Sequence, residues 1–371
     1  MSSIKHENGQ VLIPVAVLTR LVTRSFENAG CAPEEAAQVA HYMVDGNLTG
    51  HDSHGVIRTG RYISWMGNRV YPGRRLSVLS DSGNLVIADG NYGFGQIVTK
   101  EATRIGIDKA KEHGMAVVAL RHSGHLGRVG TWAEMAAAEN VVFIAFVNVR
   151  ASLLVAPFGG VDRRMSTAPF CVGVPVAGGD SIILDFATSA VAEGKALVAL
   201  QGGKELPPDV LITPDGQRTN DPTVLYGDVP PGKVANPMEG PGALRALGDH
   251  KGSGLAFICE IMACALTGAG CSGDNDRPYC NNMLGIFMDA GAFHTDDTLA
   301  REVKDYVKFY TSSKPETEGG RIMVPGEPER LKRAERTANG IPMAEKAWNI
   351  LLDTARQVGI SEDEIESILN G

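Results

Sequence analysis

Through the first part of the chain, apolar residues recur at helical spacing. Ile13 to Met43 reads as helical, and Asn28 to Gly46 places Ala36, Ala37, Val39, Ala40 and Met43 on one side, with Gly46 as the expected stop. A second helix carries Val56, Ile57, Tyr62 and Ile63 and runs on through Gly60 to Arg75, turning at Pro72-Gly73. From Leu76 the rhythm shortens. LSVLSDSGNLVIADG predicts two short strands joined around Asp81 to Asn84, and Thr99 to Gly114 predicts a helix closed by its glycine. MAVVAL and VVFIAFVNV read as buried strands, separated by the loop RHSGHLGRVG and the helix TWAEMAAAEN. Strand, loop, helix, strand is the order of an α/β fold. CVGVPV and IILD, ending at Asp185, add further strands. Residues 205–239 are rich in proline without an apolar period, which predicts a lid, a binding loop or an arm reaching a partner. From Leu247, Leu255, Ile258, Ile261, Met262 and Ala265 predict a strongly buried helix.

Composition narrows the function classes. A chain of 371 residues with 43% hydrophobic content can bury a large core in two or three domains or subdomains. A net charge of -8, a pI near 5.6 and the lack of a lysine/arginine block argue against a nucleic-acid partner. No apolar run reaches the length of a membrane span, and MSSIKHENGQ lacks the core of a signal peptide, so a soluble cytoplasmic protein is expected. The six cysteines, in no C-x-x-C spacing, read as buried reduced thiols and not as a zinc site.

The densest set of reactive groups is HDSHGVIR, His51 to Arg58. His54 is the acid/base candidate, with Ser53 beside it to meet a substrate oxygen. Arg58, four residues on, would share a helix face with it and fork onto a carboxylate. A polar helix cap with a surface arginine is the plainer alternative. His125 lies between glycines after a strand, where ligands of α/β sheets gather, although a capping histidine would look the same. The spacing there is not that of a dinucleotide glycine fingerprint. Asp185 ends a strand ahead of Thr188 and Ser189, read as a helix N-terminus able to take an anion or merely as a cap. His250, Lys251 and Gly252 open the helix after Leu247, where two cations at the positive end would welcome an anion or simply face water.

Taken together and in order, DSHGVIR, SGHLG, the STAP segment, LDFATSAVAEGK and LGDHKGSGL resemble the malate/L-lactate dehydrogenase family of NAD(P)-dependent 2-hydroxyacid oxidoreductases, over about residues 15 to 360. The resemblance implies a three-layer, mixed-sheet α/β cofactor domain unlike the Rossmann fold (79–327). It also implies a helical region built from both termini (1–78 and 328–371) and a homodimer with active sites near the subunit interface. It places the acid/base histidine at His54, the substrate arginine at Arg58 and a second active-site histidine at His125. Cofactor contacts fall on Thr167, on Asp185, Ala187, Thr188 and Ser189, on His250, Lys251 and Gly252, and on Gly326 and Glu327. The chain departs from the family where many members carry G-T-N-P and it has Ser166-Thr167-Ala168-Pro169, and again at Asp249-His250.

The reading is an oxidoreductase that moves a hydride between NAD(P)H and C2 of a small 2-oxo or 2-hydroxy acid such as malate, lactate or sulfolactate. A cyclic imino acid would fit the same site. NAD is the expected cofactor, since Asp185 near an adenosine ribose would repel a 2′-phosphate, with NADP possible through Arg128, Arg150, Arg163 or Arg164. Two rivals stand beside this reading. One is a metal-dependent lyase or hydrolase using His51, His54 and His125 with Asp52 or Asp185, and the other is a binding module for an acidic metabolite.

Overall fold

The computed structural model describes all residues except 1–3, 8, 201–204, 231–234, 274–276, 294–296 and 371. Its centre is a seven-stranded mixed sheet in the spatial order Ser77–Asp81, Leu85–Asp89, Met115–Ser123, Cys280–Asp289, Val141–Arg150, Phe170–Val174, Ile182–Phe186. Leu85–Asp89 and Met115–Ser123 pair in parallel, joined by the helix Gly95–His113, and every other neighbouring pair is antiparallel. The late strand Cys280–Asp289 inserts between two strands that come from a single strand–helix–strand unit. That placement brings Asn281 and Asn282 under the SGHLG loop, where their side-chain oxygens accept the amides of Leu126 and His122.

Apolar residues from both ends of the chain share one cluster. Val17, Leu18, Leu21, Val22 and Phe26 of the helix Val15–Asn28 pack with Val39, Ala40 and Met43 of Pro33–Leu48 and with Trp348, Leu351, Ala355, Ile365 and Ile368 near the C-terminus. A three-stranded sheet of Lys5–Glu7, Gln10–Ile13 and Ile341–Ala344 ties the termini together.

Several expectations need correction. Gly46 does not stop its helix, which runs to Leu48. It is buried, and a Cβ there would come within 3.3 Å of the His54 carbonyl oxygen, so its role is close packing against the histidine loop. The helix after Arg58 is short, Thr59–Trp65. The described part of the proline-rich 205–239 stretch is no bare loop, residues 231–234 lying outside the described residues. Leu206, Val210, Leu211, Leu225 and Tyr226 are buried in a cluster of their own with Leu154, Val191 and Leu244, around two-residue strands too short to show a period. The helix His250–Glu260 and its π-helical extension Ile261–Ala265 are not strongly buried either. Small residues, Gly252, Ala256, Cys259 and Ala263, face inward, while Phe257 and Leu266 are each 62% exposed beside exposed Ile258 and Ile261.

Candidate active site

The HDSHG loop follows the helix Pro33–Leu48 as two 3-10 turns, Asp52–His54 and Val56–Arg58, hinged at Gly55. Its shape is set by one asparagine. Asn47 Oδ1 accepts the Val56 amide at 2.8 Å and Nδ2 donates to Asp52 Oδ1 at 2.7 Å, while Arg336 grips both Asp52 oxygens and the Asn47 carbonyl. A Cβ at Gly55 would lie 2.1 Å from Asn47 Oδ1, so only glycine fits this turn. Asp52 is therefore an anchor. The break at Gly55 means that His54 and Arg58 do not share a helix face as the four-residue spacing predicts. The turn nevertheless folds Arg58 back, and its Nε donates to the Ser53 carbonyl.

Two imidazoles meet in this site. The rings of His54 and His125 stack with centroids 5.5 Å apart and planes 23° apart, and Ser53 Oγ is 3.0 Å from His54 Nδ1. Burial, then the positive charge of Arg58, drives both histidines well below the ordinary imidazole value of 6.5. Arg58 Nη2 lies 3.9 Å from Glu193 Oε2, whose other oxygen accepts the Tyr226 hydroxyl at 2.9 Å. Gly194 packs on Ser53, where a Cβ would come within 2.4 Å of Ser53 Cβ, so the AEGK segment roofs the histidine loop. Sequence reasoning missed Asn47, Glu193, Tyr226 and Arg336. The only signal for them was a polar residue at the edge of an apolar run.

The segments read as cofactor contacts are joined by backbone bonds. Thr188 is not at a helix N-terminus, since the next helix begins at Glu193; its amide and hydroxyl donate to the Thr167 carbonyl and its hydroxyl also to that of Ala168. Ser189, likewise no cap, donates to the Val191 carbonyl and bridges Ala246, and Ala187 lies half-buried between Asp185 and this turn. Leu247 donates to the Thr188 carbonyl, which carries the chain into the helix starting at His250. Gly252 is buried, with room for no Cβ because the Leu247 carbonyl oxygen would lie 2.1 Å away. His250 and Lys251 are exposed, and the first turn carries no acidic residue. The amides of Lys251, Gly252 and Ser253 are taken by the carbonyls of Gly248, Leu247 and Asp249, and the Asp249 carboxylate pairs with Arg245, so the helix dipole and the exposed Lys251 are what this end offers an anion.

Asp185 accepts the Gly130 amide at 2.6 Å, at the start of the helix Gly130–Ala137. Burial raises its carboxyl above the ordinary value, opposed by that amide and by the charges of His51 and Arg128. It makes no hydrogen bond to His54. Gly326, in the left-handed region at φ 88°, begins the helix Glu327–Asn339 beside the Asp185 strand, where Ile183 donates to the Pro325 carbonyl. Glu327 accepts the Val324 amide and pairs with Arg321, and Glu329 pairs with His51 at 3.3 Å. Of the four arginines weighed for a phosphate, Arg128 is 1% exposed and paired with Glu134, while Arg150 and Arg163 are spent on backbone carbonyls. Arg164 is exposed and pairs with Asp162. Among the described residues no group of three or more His, Cys, Asp or Glu is arranged to hold a metal, and no helix is long and apolar enough to cross a membrane.

Comparison with known proteins agrees with this constellation. The chain is 36% identical over 348 residues to hydroxycarboxylate dehydrogenase B of Escherichia coli K12, covering 92% of this chain and 93% of that protein. It is 34% identical to an L-lactate dehydrogenase of Cupriavidus necator, covering 85% and 89%. Among solved structures, malate dehydrogenase from Pyrococcus horikoshii superposes with a TM-score of 0.83 at 26% identity, covering 97% and 99%. A Δ1-piperideine-2-carboxylate reductase from Pseudomonas syringae superposes with 0.78 at 28% identity, covering 92% and 99%. Residues 13–352 match the malate/L-lactate dehydrogenase family model, and with the five motifs on one connected surface the chain belongs to that family, an oxidoreductase of the hydroxyacid dehydrogenase kind.

Proposed function

We propose that the protein interconverts a small 2-hydroxy acid and its 2-oxo acid with NAD as the hydride carrier, His54 moving the proton and Arg58 holding the carboxylate. The observation that carries this reading is the half-buried His54–His125 pair with Arg58 alongside: a proton carrier, a hydrogen-bond donor and a planar cation in one place. When bound, the nicotinamide accepts or returns the hydride at C2. The chain's own residues do the rest. Low basicity leaves His54 neutral near neutrality, ready to take the hydroxyl proton as a 2-hydroxy acid is oxidised; in reduction the same imidazole, protonated, returns it to the oxygen. A bound carboxylate offsets the charge of Arg58 and eases that protonation. Ser53 aligns the substrate oxygen, and His125 contributes a hydrogen bond or shares the proton transfer.

Thr167, Asp185, Ala187, Thr188, Ser189, His250, Lys251, Gly252, Gly326 and Glu327 would hold the cofactor. Lys251 and the positive end of the helix dipole are suited to the phosphates. NAD is preferred over NADP because all four candidate arginines already have partners, Arg164 alone among them being exposed. Malate-, lactate- and sulfolactate-like acids are the substrate class. Quenching or enhancement of NADH fluorescence on titration, followed by NADH oxidation with 2-oxo acids, tests the reading.

The helical unit, 1–78 with 328–371, would carry the acid/base histidine, and 79–327 the cofactor. The exposed row of Phe257, Ile258, Ile261 and Leu266 supports a homodimer. Six unpaired cysteines support a cytoplasmic setting.

A further inference from the structure

His125 sits at the end of a chain of donors. The Gly127 amide, turned back by a left-handed φ of 74°, donates to His125 Nδ1 at 3.2 Å, and the Tyr62 hydroxyl lies 2.6 Å from the same nitrogen. A backbone N–H can only donate, so Nδ1 carries no proton. Tyr62 must then donate as well, and its oxygen in turn accepts from Gln96 Nε2 at 3.2 Å. Tyr62 and Gln96 are fully buried, and Gly95 permits the approach, since a Cβ there would lie 2.0 Å from the His125 carbonyl oxygen.

We infer that the Gln96–Tyr62 relay, with the Gly127 amide, holds His125 as the neutral Nε2–H tautomer, making it a fixed hydrogen-bond donor to the substrate oxygen and leaving His54 alone to carry the proton. This rests on the assignment of both histidines to the reacting centre. Tyr62 and Gln96 are positioning residues. The charged and titratable groups around His125 are His54 on the stacked ring, Arg58 and Arg61 from the loop and following helix, and Tyr62 itself. All of the cations disfavour a second imidazolium. A donor aimed at a developing alkoxide works best when its proton cannot be lost to the other nitrogen.

The test is long-range proton–nitrogen NMR of protein labelled with 15N-histidine, with His125→Asn identifying the His125 signals among the nine histidines. The expected wild-type pattern is a protonated Nε2 and bare Nδ1, unchanged through neutral pH. In Tyr62→Phe, His125 should begin to protonate at higher pH, and kcat with a 2-oxo acid should fall roughly ten- to a hundredfold with KM little changed, the scale for groups that orient a reacting imidazole. Gln96→Leu should move both readouts the same way by less. A wild-type His125 that carries its proton on Nδ1, or titrates as a free imidazole, overturns the inference, as does a Tyr62→Phe protein with unaltered titration and kcat. The spectrum needs no turnover. An active enzyme with the wrong tautomer defeats only the relay, whereas the predicted tautomer in a protein inert toward every 2-oxo acid defeats the proposed reaction.

Discussion

His54 and His125 stack ring over ring at 5.5 Å, and that contact explains why one of them must remain neutral. Two imidazolium ions this close, with Arg58 adjacent, would repel in a buried setting. If His54 is the member that carries the proton, His54→Asn should lower kcat by about a hundredfold to ten-thousandfold. NADH affinity, read by fluorescence titration, should stay near wild type.

The depressed basicity of His54 gives a pH dependence with a definite sign. The form needed for oxidation is the neutral imidazole. Because its pKa lies well below 6.5, kcat/KM for a 2-hydroxy acid should stay level as pH falls from about 8 through 6.5 and drop only below that. A profile that already halves near 6.5 would place an unperturbed histidine in the role.

Arg58 is tethered through Nε to the Ser53 carbonyl and faces Glu193 through Nη2. Arg58→Lys keeps the charge and loses the fork. KM for a 2-oxo acid should rise well beyond any change in NADH affinity, as steady-state kinetics beside fluorescence titration would reveal.

Asn47 holds the histidine loop without touching the chemistry. Asn47→Ala strands the buried Val56 amide, at a cost of about 1–3 kcal/mol. Calorimetry should register a lower Tm, and kcat should fall in parallel as the loop loosens.

Much of the sheet was legible because its strands are long apolar runs: MAVVAL and VVFIAFVNV became Met115–Ser123 and Val141–Arg150. The same periodicity misread the helix at His250, where alanine, cysteine and glycine pack inward and the bulky residues stay outside. It also misread Thr188 and Ser189 as a cap. The Thr188 hydroxyl is consumed by carbonyls of the STAP turn, a contact between segments that no local window contains, and the Ser189 hydroxyl turns onto the Val191 carbonyl two residues on. His54, Ser53 and Arg58 stood out as an eight-residue cluster, whereas Glu193 and Arg336 reach that cluster from far along the chain and carry no local mark.

For cofactor choice, Asp185 is the residue to change. The ratio of kcat/KM for NADH over NADPH should exceed about ten in the wild type, equivalent to roughly 1.4 kcal/mol, and should fall in Asp185→Ser. Loss of turnover with both cofactors would instead assign the residue to the helix start that it caps at Gly130.

The most direct measurement is the rate of NADH oxidation by the wild type and by His54→Asn across pyruvate, oxaloacetate, sulfopyruvate, longer 2-oxo acids and cyclic imino acids. The wild type should turn over at least one 2-oxo acid faster than any imino acid, and His54→Asn should lose that turnover while still binding NADH. Inertness of the wild type toward all 2-oxo acids, or full activity in His54→Asn, would contradict the account.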